Sequence, residues 1–406
     1  MKQLEGGVTA AKGFRAAGVQ AGVKPGRNRL DVGLIASDVP CTAAGLFTRN
    51  LVKASPVLLD METVSDGRAQ AIIANSGIAN ACAPNGMLHA QEMQKLAADA
   101  LGISQDLVLV GSTGVIGMEL FTECIRDHMQ ELVGQLTDDP AGSDLCARAI
   151  MTTDTVKKEF AFEEKIGGKM VRLGGISKGS GMIHPNMGTM LAYLTTDCAI
   201  SSDLLKKALK QVCDRSFNRI SVDGDTSTND TLIILANGMA GNPCICEENE
   251  DYDAFVSMLE TLCVCLARRM ARDGEGARHL ITCTVRHAEN EAEAEQLAKS
   301  VISSSLTKAA IFGCDANWGR VLCAMGYSGV SFDPQKVDIR FVSKAGSIDV
   351  CRNGAGLPFD EELAKKILEE EEVIIEADMK MKDAEVTCWG CDLTYDYVKI
   401  NGDYRT

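Results

Sequence analysis

The chain has 406 residues, 46% of them hydrophobic and 24% charged, the composition of a globular protein long enough for two or three domain-sized units. With 41 Lys and Arg against 56 Asp and Glu, its formal net charge is -15. That leaves no general cationic surface for phosphates or an anionic membrane, and nucleic acid is not an expected partner. The amino-terminal MKQLEGGVTAAKGF lacks an uninterrupted apolar core, and no later stretch has the apolar length of a membrane span, so a soluble cytoplasmic protein is expected.

In chain order, AQAIIANSG from Ala69, DLVLVGSTG from Asp106, MLAYLTTDCAI from Met190, DTLIILANG from Asp230 and HLITCTVRHA from His279 read as strands. Most are continuous apolar runs, which suits sheets covered on both faces. GMLHAQEMQKLAADAL from Gly86, DLLKKALKQVCDRSF from Asp203 and DYDAFVSMLETLCVCLARRMARD from Asp251 have helical periodicity. The fold class is therefore α/β (α+β), with layered sheets covered by helices. There is no Pro/Gly/Ser-rich linker or fixed-period repeat, so no sharp domain boundary is expected. The Gly-rich stretch from Gly174 to Gly188 reads as a flexible, weakly helical loop, and Pro185 disfavours helix at His184. EENEDYD from Glu247 reads as an exposed loop entering a helix, and TYDYVKI from Thr394 as an alternating strand.

The sixteen cysteines are scattered through apolar patterns, as at Cys263 and Cys265 in LETLCVCLARRM, where a reduced thiol behaves as a small hydrophobe. Three pairs invite a metal or redox reading: Cys244 with Cys246, Cys263 with Cys265, and Cys388 with Cys391 in CWGC. A redox CxxC belongs between a strand and a helix, whereas CWGCDLTYDYVKI reads as one continuing strand. No two of the five histidines have ligand spacing, so no metal is expected. A non-catalytic thiol or metal-binding protein rests on the cysteine count alone.

GGISKGSGMIHPNMGTMLAYLTTDCAI, from Gly174 to Ile200, places a small residue and a threonine just before a buried strand. Self-cleavage needs the Thr189 hydroxyl to attack the Gly188 carbonyl, and a residue without Cβ permits the strained backbone and leaves that carbonyl accessible. Once cut, Thr189 carries an α-amine with a reference pKa of about 8, able to accept the hydroxyl proton near neutral pH. A Gly-Thr pair before a strand is by itself commonplace, and partners elsewhere must carry the reading.

KGSGMIHPNMGTMLAYLTTD resembles the signature of the ornithine acetyltransferase family, the bifunctional enzymes of cyclic arginine biosynthesis. The same family is matched by GGVTAAKGFRAAGVQAGVK near the start, NSGIANAC at Asn75, GSTGVIG at Gly111, MTTDT at Met151 and VDGDTSTNDT at Val222. DGEGA at Asp273, FGCDANWGR at Phe312 and the terminal YVKINGDYRT continue the match, so it spans essentially the whole chain in order. The resemblance implies a self-cleaving threonine-nucleophile fold of two α/β parts. The fragments 1–188 and 189–406, cut between Gly188 and Thr189, would stay associated as a heterotetramer of two alpha and two beta chains.

By the same resemblance Thr189 is the nucleophile and Thr113 and Gly114 form the oxyanion hole. Thr152 (or its neighbour Thr153), Lys178, Thr189, Glu275, Asn401 and Thr406 bind substrate. The implied substrates are N-acetylornithine and glutamate, exchanged by a ping-pong route through acetyl-Thr189 without a cofactor, and acetyl-CoA as a second donor stays open. The last two site residues imply a carboxyl terminus folded back over the pocket. Without the resemblance, Lys178 would be a surface lysine, GSTGVIG a strand-ending turn and DGEG a helix-ending turn. Asp223, Asp225, Asn229 and Asp230 fit no calcium loop and read as a hydrogen-bonded scaffold; His184 reads as a satisfied loop histidine. Gly188 departs from the alanine of many relatives. The nearest other chemistry is hydrolysis by a self-cleaved aminopeptidase or amidase of related fold.

Overall fold

The computed structural model describes residues 1–26, 28–184 and 190–403. They form two compact units, Met1–Asn218 with Asp225–Met270, and Arg219–Gly224 with the chain from Ala271 onward.

The first unit contains β1 (Lys2–Leu4), β2 (Phe14–Val19), β3 (Val32–Phe47), α1 (Ser55–Thr63), β4 (Arg68–Ile78), α2 (Gly86–Leu101), β5 (Val108–Val115), α3 (Glu123–Gly134) and α4 (Pro140–Ala149). It continues with β6 (Lys158–Ile166), β7 (Lys169–Lys178), β8 (Leu191–Thr196) and α5 (Ser202–Arg215). After β9 (Ile220–Ser221), which belongs to the second unit, come β10 (Thr231–Ala236) and α6 (Glu250–Arg272). Among the described residues the strands form one sheet in the order β1-β6-β7-β8-β10-β3-β4-β5, with β2 paired to β3. The β4–β5 and β8–β10 pairs are parallel and the others antiparallel.

Strand periodicity sends alternate side chains to opposite faces. Leu34, Ala36, Ala71, Ile73, Val108 and Val110 pack with Met93 of α2 and Ile125, Met129 and Leu132 of α3. Their neighbours Ile35, Ile72, Ala74 and Leu109 join Cys146 and Ala147 of α4 and the buried Tyr193. Every residue of β8 and β10 is buried, as the continuous apolar runs require.

One stretch expected to be a loop is strand. β7 runs through Gly174 and Gly175 to Lys178. A Cβ on Gly174 would lie 1.9 Å from the Gly7 carbonyl oxygen, and one on Gly175 2.5 Å from a Leu194 methyl. These glycines mark close packing inside a sheet rather than flexibility. The strand read in DLVLVGSTG is β5, and its GSTGV end is close-packed too, since a Cβ on Gly111 would meet the Tyr193 hydroxyl at 1.9 Å.

The second unit adds β11 (Leu280–Ala288), α7 (Glu291–Ser303), α8 (Ser305–Phe312), α9 (Trp318–Gly326), β12 (Asp338–Ser343), β13 (Gly346–Arg352) and β14 (Ala355–Gly356). α10 (Glu361–Leu368), β15 (Glu372–Asp378), β16 (Ala384–Cys391) and α11 (Tyr395–Asp403) follow. Its sheet has the order β14-β13-β12-β15-β11-β16-β9. One face buries Cys283, Val285, Phe341, Ile375 and Cys388 against Leu297 and Val301 of α7 and Ile367 of α10. The other carries charges that pair across strands, Arg286 with Glu376 at 3.1 Å and Arg340 with Asp349 at 3.3 Å.

TYDYVKI is a helix, not the expected strand. Thr394 redirects the chain, its hydroxyl accepting from the Asp396 N–H at 3.2 Å while donating to the Gly276 carbonyl at 2.8 Å. That local turn overrides a weak alternation with no buried partner face. The CWGC pair lies within and at the end of β16, where both thiols are buried and Cys388 faces Cys283 in register. Burial pushes the Cys388 thiol up to about 12, the behaviour of a core cysteine rather than a redox centre.

Candidate active site

The ends of β4 and β5 bring polar groups into the core of the first unit. Ser112, Thr113 and Gly114 stand beside Asn75, Ser76 and Gly77 in parallel register. The Ser112 hydroxyl donates to Asn75 Oδ1 at 2.6 Å, and Asn75 Nδ2 donates to the Ile78 carbonyl at 2.9 Å. From β10's side, Asn229 Nδ2 donates to the Ala79 and Ser112 carbonyls at 2.6 and 2.8 Å. Buried carbonyls need such partners, and these bonds hold the Ser112 backbone, just before Thr113, and the adjoining end of β4. Gly114 has a φ of 135°, and a Cβ there would lie 2.3 Å from the Gly77 carbonyl carbon. No other residue type lets the two strands approach this closely.

Lys178, expected on its own merits at the surface, ends β7 almost wholly buried. Its ammonium donates to Thr113 Oγ1 at 3.3 Å. A hydroxyl that accepts from a cation is polarised as a donor in turn, which suits a group aimed at developing negative charge.

Asp154 lies beneath this pair. Its Oδ1 accepts from Lys158 Nζ at 2.6 Å and from the Gly179 N–H at 2.7 Å, and its Oδ2 from the Thr152 N–H at 2.9 Å. The Asp154 and Lys158 side chains are both fully enclosed. Burial alone would raise the Asp154 carboxyl, but the Lys158 and Lys178 ammonium groups beside it hold it well below the usual carboxylate range. The Thr152 carbonyl accepts from Arg29 at 2.7 Å.

At the start of β8, the Met190 N–H donates to Asp230 Oδ1 at 2.8 Å, and the Met190 carbonyl accepts from the Thr231 N–H at 2.9 Å. Lys178 is the register partner of Leu191. The expected cleavage site, Gly188 and Thr189, lies outside the described residues, as does Thr406. The backbone immediately following them is anchored by Asp230.

In the second unit Glu275, 8% exposed, follows α6 in a tight turn. Its Oε2 accepts from Asn401 Nδ2 at 2.7 Å. Gly276, with φ of 71°, lets the α11 backbone close in, since a Cβ there would lie 2.8 Å from the Tyr397 nitrogen. The Tyr395 ring meets Phe312 edge-on at 5.5 Å. Two of the expected site residues, Glu275 and Asn401, are thus in direct contact.

Thr113, Gly114, Lys178 and Thr152 gather in the first unit, with Thr153 half-buried beside Thr152. The polar cluster from Asp223 to Asp230 divides. Asn229 and Asp230 serve the first unit as described, whereas Asp223 accepts from the Tyr397 hydroxyl at 3.3 Å within the second. The His184 carbonyl accepts from the Thr226 hydroxyl at 3.0 Å. Sequence reasoning passed over Asp154 and Lys158; the acid stands inside MTTDT, but nothing in that string announces that it is buried. Among the described residues no three His, Cys, Asp or Glu side chains are grouped to hold a metal, and no helix is long and apolar enough to cross a membrane.

Comparison with known proteins agrees along the whole chain. The model of the ArgJ family matches residues 15–406. An arginine biosynthesis bifunctional protein of Symbiobacterium thermophilum is 50% identical over 408 residues, covering 100% of both chains. A protein of the same description from Caldanaerobacter subterraneus is 48% identical over 407 residues, again covering 100% of both. A crystal structure of an arginine biosynthesis bifunctional protein from Bacillus halodurans is 42% identical with a TM-score of 0.50. It covers 52% of this chain and 98% of its own. The chain belongs to the ArgJ family.

Proposed function

We propose that the chain is an acyltransferase of arginine biosynthesis, moving an acetyl group from N-acetylornithine to glutamate through an acetyl-Thr189 intermediate. The observation that carries this reading is the hydrogen bond from the Lys178 ammonium to the Thr113 hydroxyl, beside a Gly114 backbone that tolerates no side chain. A cation and a polarised hydroxyl at the end of a rigid strand suit the carboxylate of an amino-acid substrate and the oxyanion of a tetrahedral intermediate. Met190, the residue that follows Thr189 in sequence, is anchored by Asp230. Within the second unit Glu275 and Asn401, in direct contact, are substrate-binding residues in this reading, with Glu275 meeting an ammonium group.

Self-cleavage between Gly188 and Thr189 generates the nucleophile, and the free α-amine serves as its base. A solved relative that is covered almost completely yet matches about half of this chain supports fragments of that size. The fragments stay together as a heterotetramer of two alpha and two beta chains, in the cytoplasm and without a cofactor; acetyl-CoA is the second donor where the enzyme is bifunctional. The test follows isotopically labelled glutamate with N-acetylornithine, wild-type enzyme and a Thr189→Ala control. Labelled N-acetylglutamate from the wild type alone is expected. Ornithine released at the same rate with and without glutamate, together with free acetate, would instead identify a hydrolase.

A further inference from the structure

We propose that Asp154 is the positioning residue of this site, setting Lys178 and Thr152 in place from below; the inference rests on the acetyl-transfer reading above. Its carboxylate collects bonds from three separate places: the Thr152 backbone, the Gly179 backbone directly after Lys178, and the Lys158 side chain. The turn carrying one expected binding residue and the strand end carrying another therefore share one buried anion. Lys158 engages Asp154 in a fully enclosed ion pair, and Val156 also accepts from its ammonium at 3.3 Å. Lys178 is the second cation acting on the same carboxylate, and its ammonium reaches Thr113.

Without Asp154 the Thr152 and Gly179 N–H groups lose their shared acceptor, and the strand end that aims Lys178 at Thr113 loses its anchor. Asp154 touches no substrate; it acts through Lys178 and Thr152.

Removing Asp154 alone strands a buried ammonium, and that variant risks misfolding. The test therefore uses Asp154→Asn with Lys158→Met, which removes the pair together, and Lys158→Met alone, which leaves Asp154 in contact with Gly179. Kinetics are compared with Lys178→Met and with the triple variant, in the full-length enzyme with N-acetylornithine and glutamate. Misplacing a catalytic contact by about 1 Å costs on the order of 100-fold, so the paired variant should lose about that in kcat/KM. Lys158→Met should stay within about threefold of wild type. Groups that act as one unit are not additive, so the triple variant should fall no more than about threefold below Lys178→Met.

Multiplying losses in the triple variant, or a paired variant with wild-type kcat and KM, would overturn the proposal. So would failure of both Lys158 variants to fold, which would place Asp154 in the service of the fold alone. A wild-type enzyme that moves no acetyl group would sink the functional reading instead, a result distinguishable from all of these.

Discussion

Gly114→Ala tests the rigidity of the expected oxyanion site. A Cβ at residue 114 would lie 2.3 Å from the Gly77 carbonyl carbon, 2.4 Å from its oxygen and 2.7 Å from the Ile78 nitrogen, where ordinary contact begins near 3.4 Å. All three are backbone atoms of β4, so no side chain can swing aside and the strands must part by about 1 Å. Alanine at a φ of 135° adds backbone strain of about 1–3 kcal/mol, and the intrusion a further 1–3 kcal/mol or so. Against a typical stability of about 5–15 kcal/mol, the variant should still fold, with a clearly lowered Tm. Parting β4 from β5 moves Thr113, and a displacement of about 1 Å costs on the order of 100-fold in rate, the scale of losing one oxyanion donor. Thermal melting and single-turnover acetylation by N-acetylornithine read the two effects separately. A folded Gly114→Ala enzyme with wild-type melting and an unchanged acetylation rate would refute the reasoning.

Three further outcomes follow from the packing. β8 and β10, both after residue 189, lie between β7 and β3, both before it, so separating the fragments means breaking two strand ladders. Cleaved protein should elute as one species in native size exclusion and part only in denaturant; fragments eluting separately in native buffer would contradict this topology. Asp154 has a folded pKa well below its unfolded reference of about 3.9, so its stabilisation is fully present above that value and is lost progressively as pH falls from there toward the lower folded pKa. Denaturant midpoints should therefore drop more steeply as pH falls below about 4 in wild type than in the Asp154→Asn, Lys158→Met variant; equal slopes would remove the ion pair from the acid response. Iodoacetamide on the native protein should label the exposed Cys82, Cys244, Cys246 and Cys323 first and leave the buried Cys388 and Cys391 of CWGC intact. Mass mapping that finds early label on either CWGC thiol would reopen a redox role.

The continuous apolar runs and the long periodic helices were legible in the sequence because burial on two faces and a 3.6-residue period leave direct marks in composition. Glycines hid the strand from Gly174 to Lys178, whereas the strand through GSTG was legible from the apolar run before it. A glycine that grants conformational freedom and one that admits a neighbouring strand are identical as letters, and only the positions of Gly7, Leu194, Tyr193 and Gly77 separate them. TYDYVKI alternated like a strand until Thr394 was seen to bond both the Gly276 carbonyl and the Asp396 N–H. Of the expected site, Thr113 with Lys178 and Glu275 with Asn401 proved to be direct partners although 65 and 126 residues apart in sequence. Asp154 escaped notice because an acid in a polar string gives no sign that two lysines will enclose it.

Intact-mass analysis before and after N-acetylornithine tests the central claim most directly. Two fragments meeting at Gly188 and Thr189 are expected, and the one beginning with Thr189 should gain about 42 Da, one acetyl group, then lose it when glutamate is added. A single uncut chain, or an adduct on any other residue, would contradict the assignment of Thr189 as the acetyl carrier.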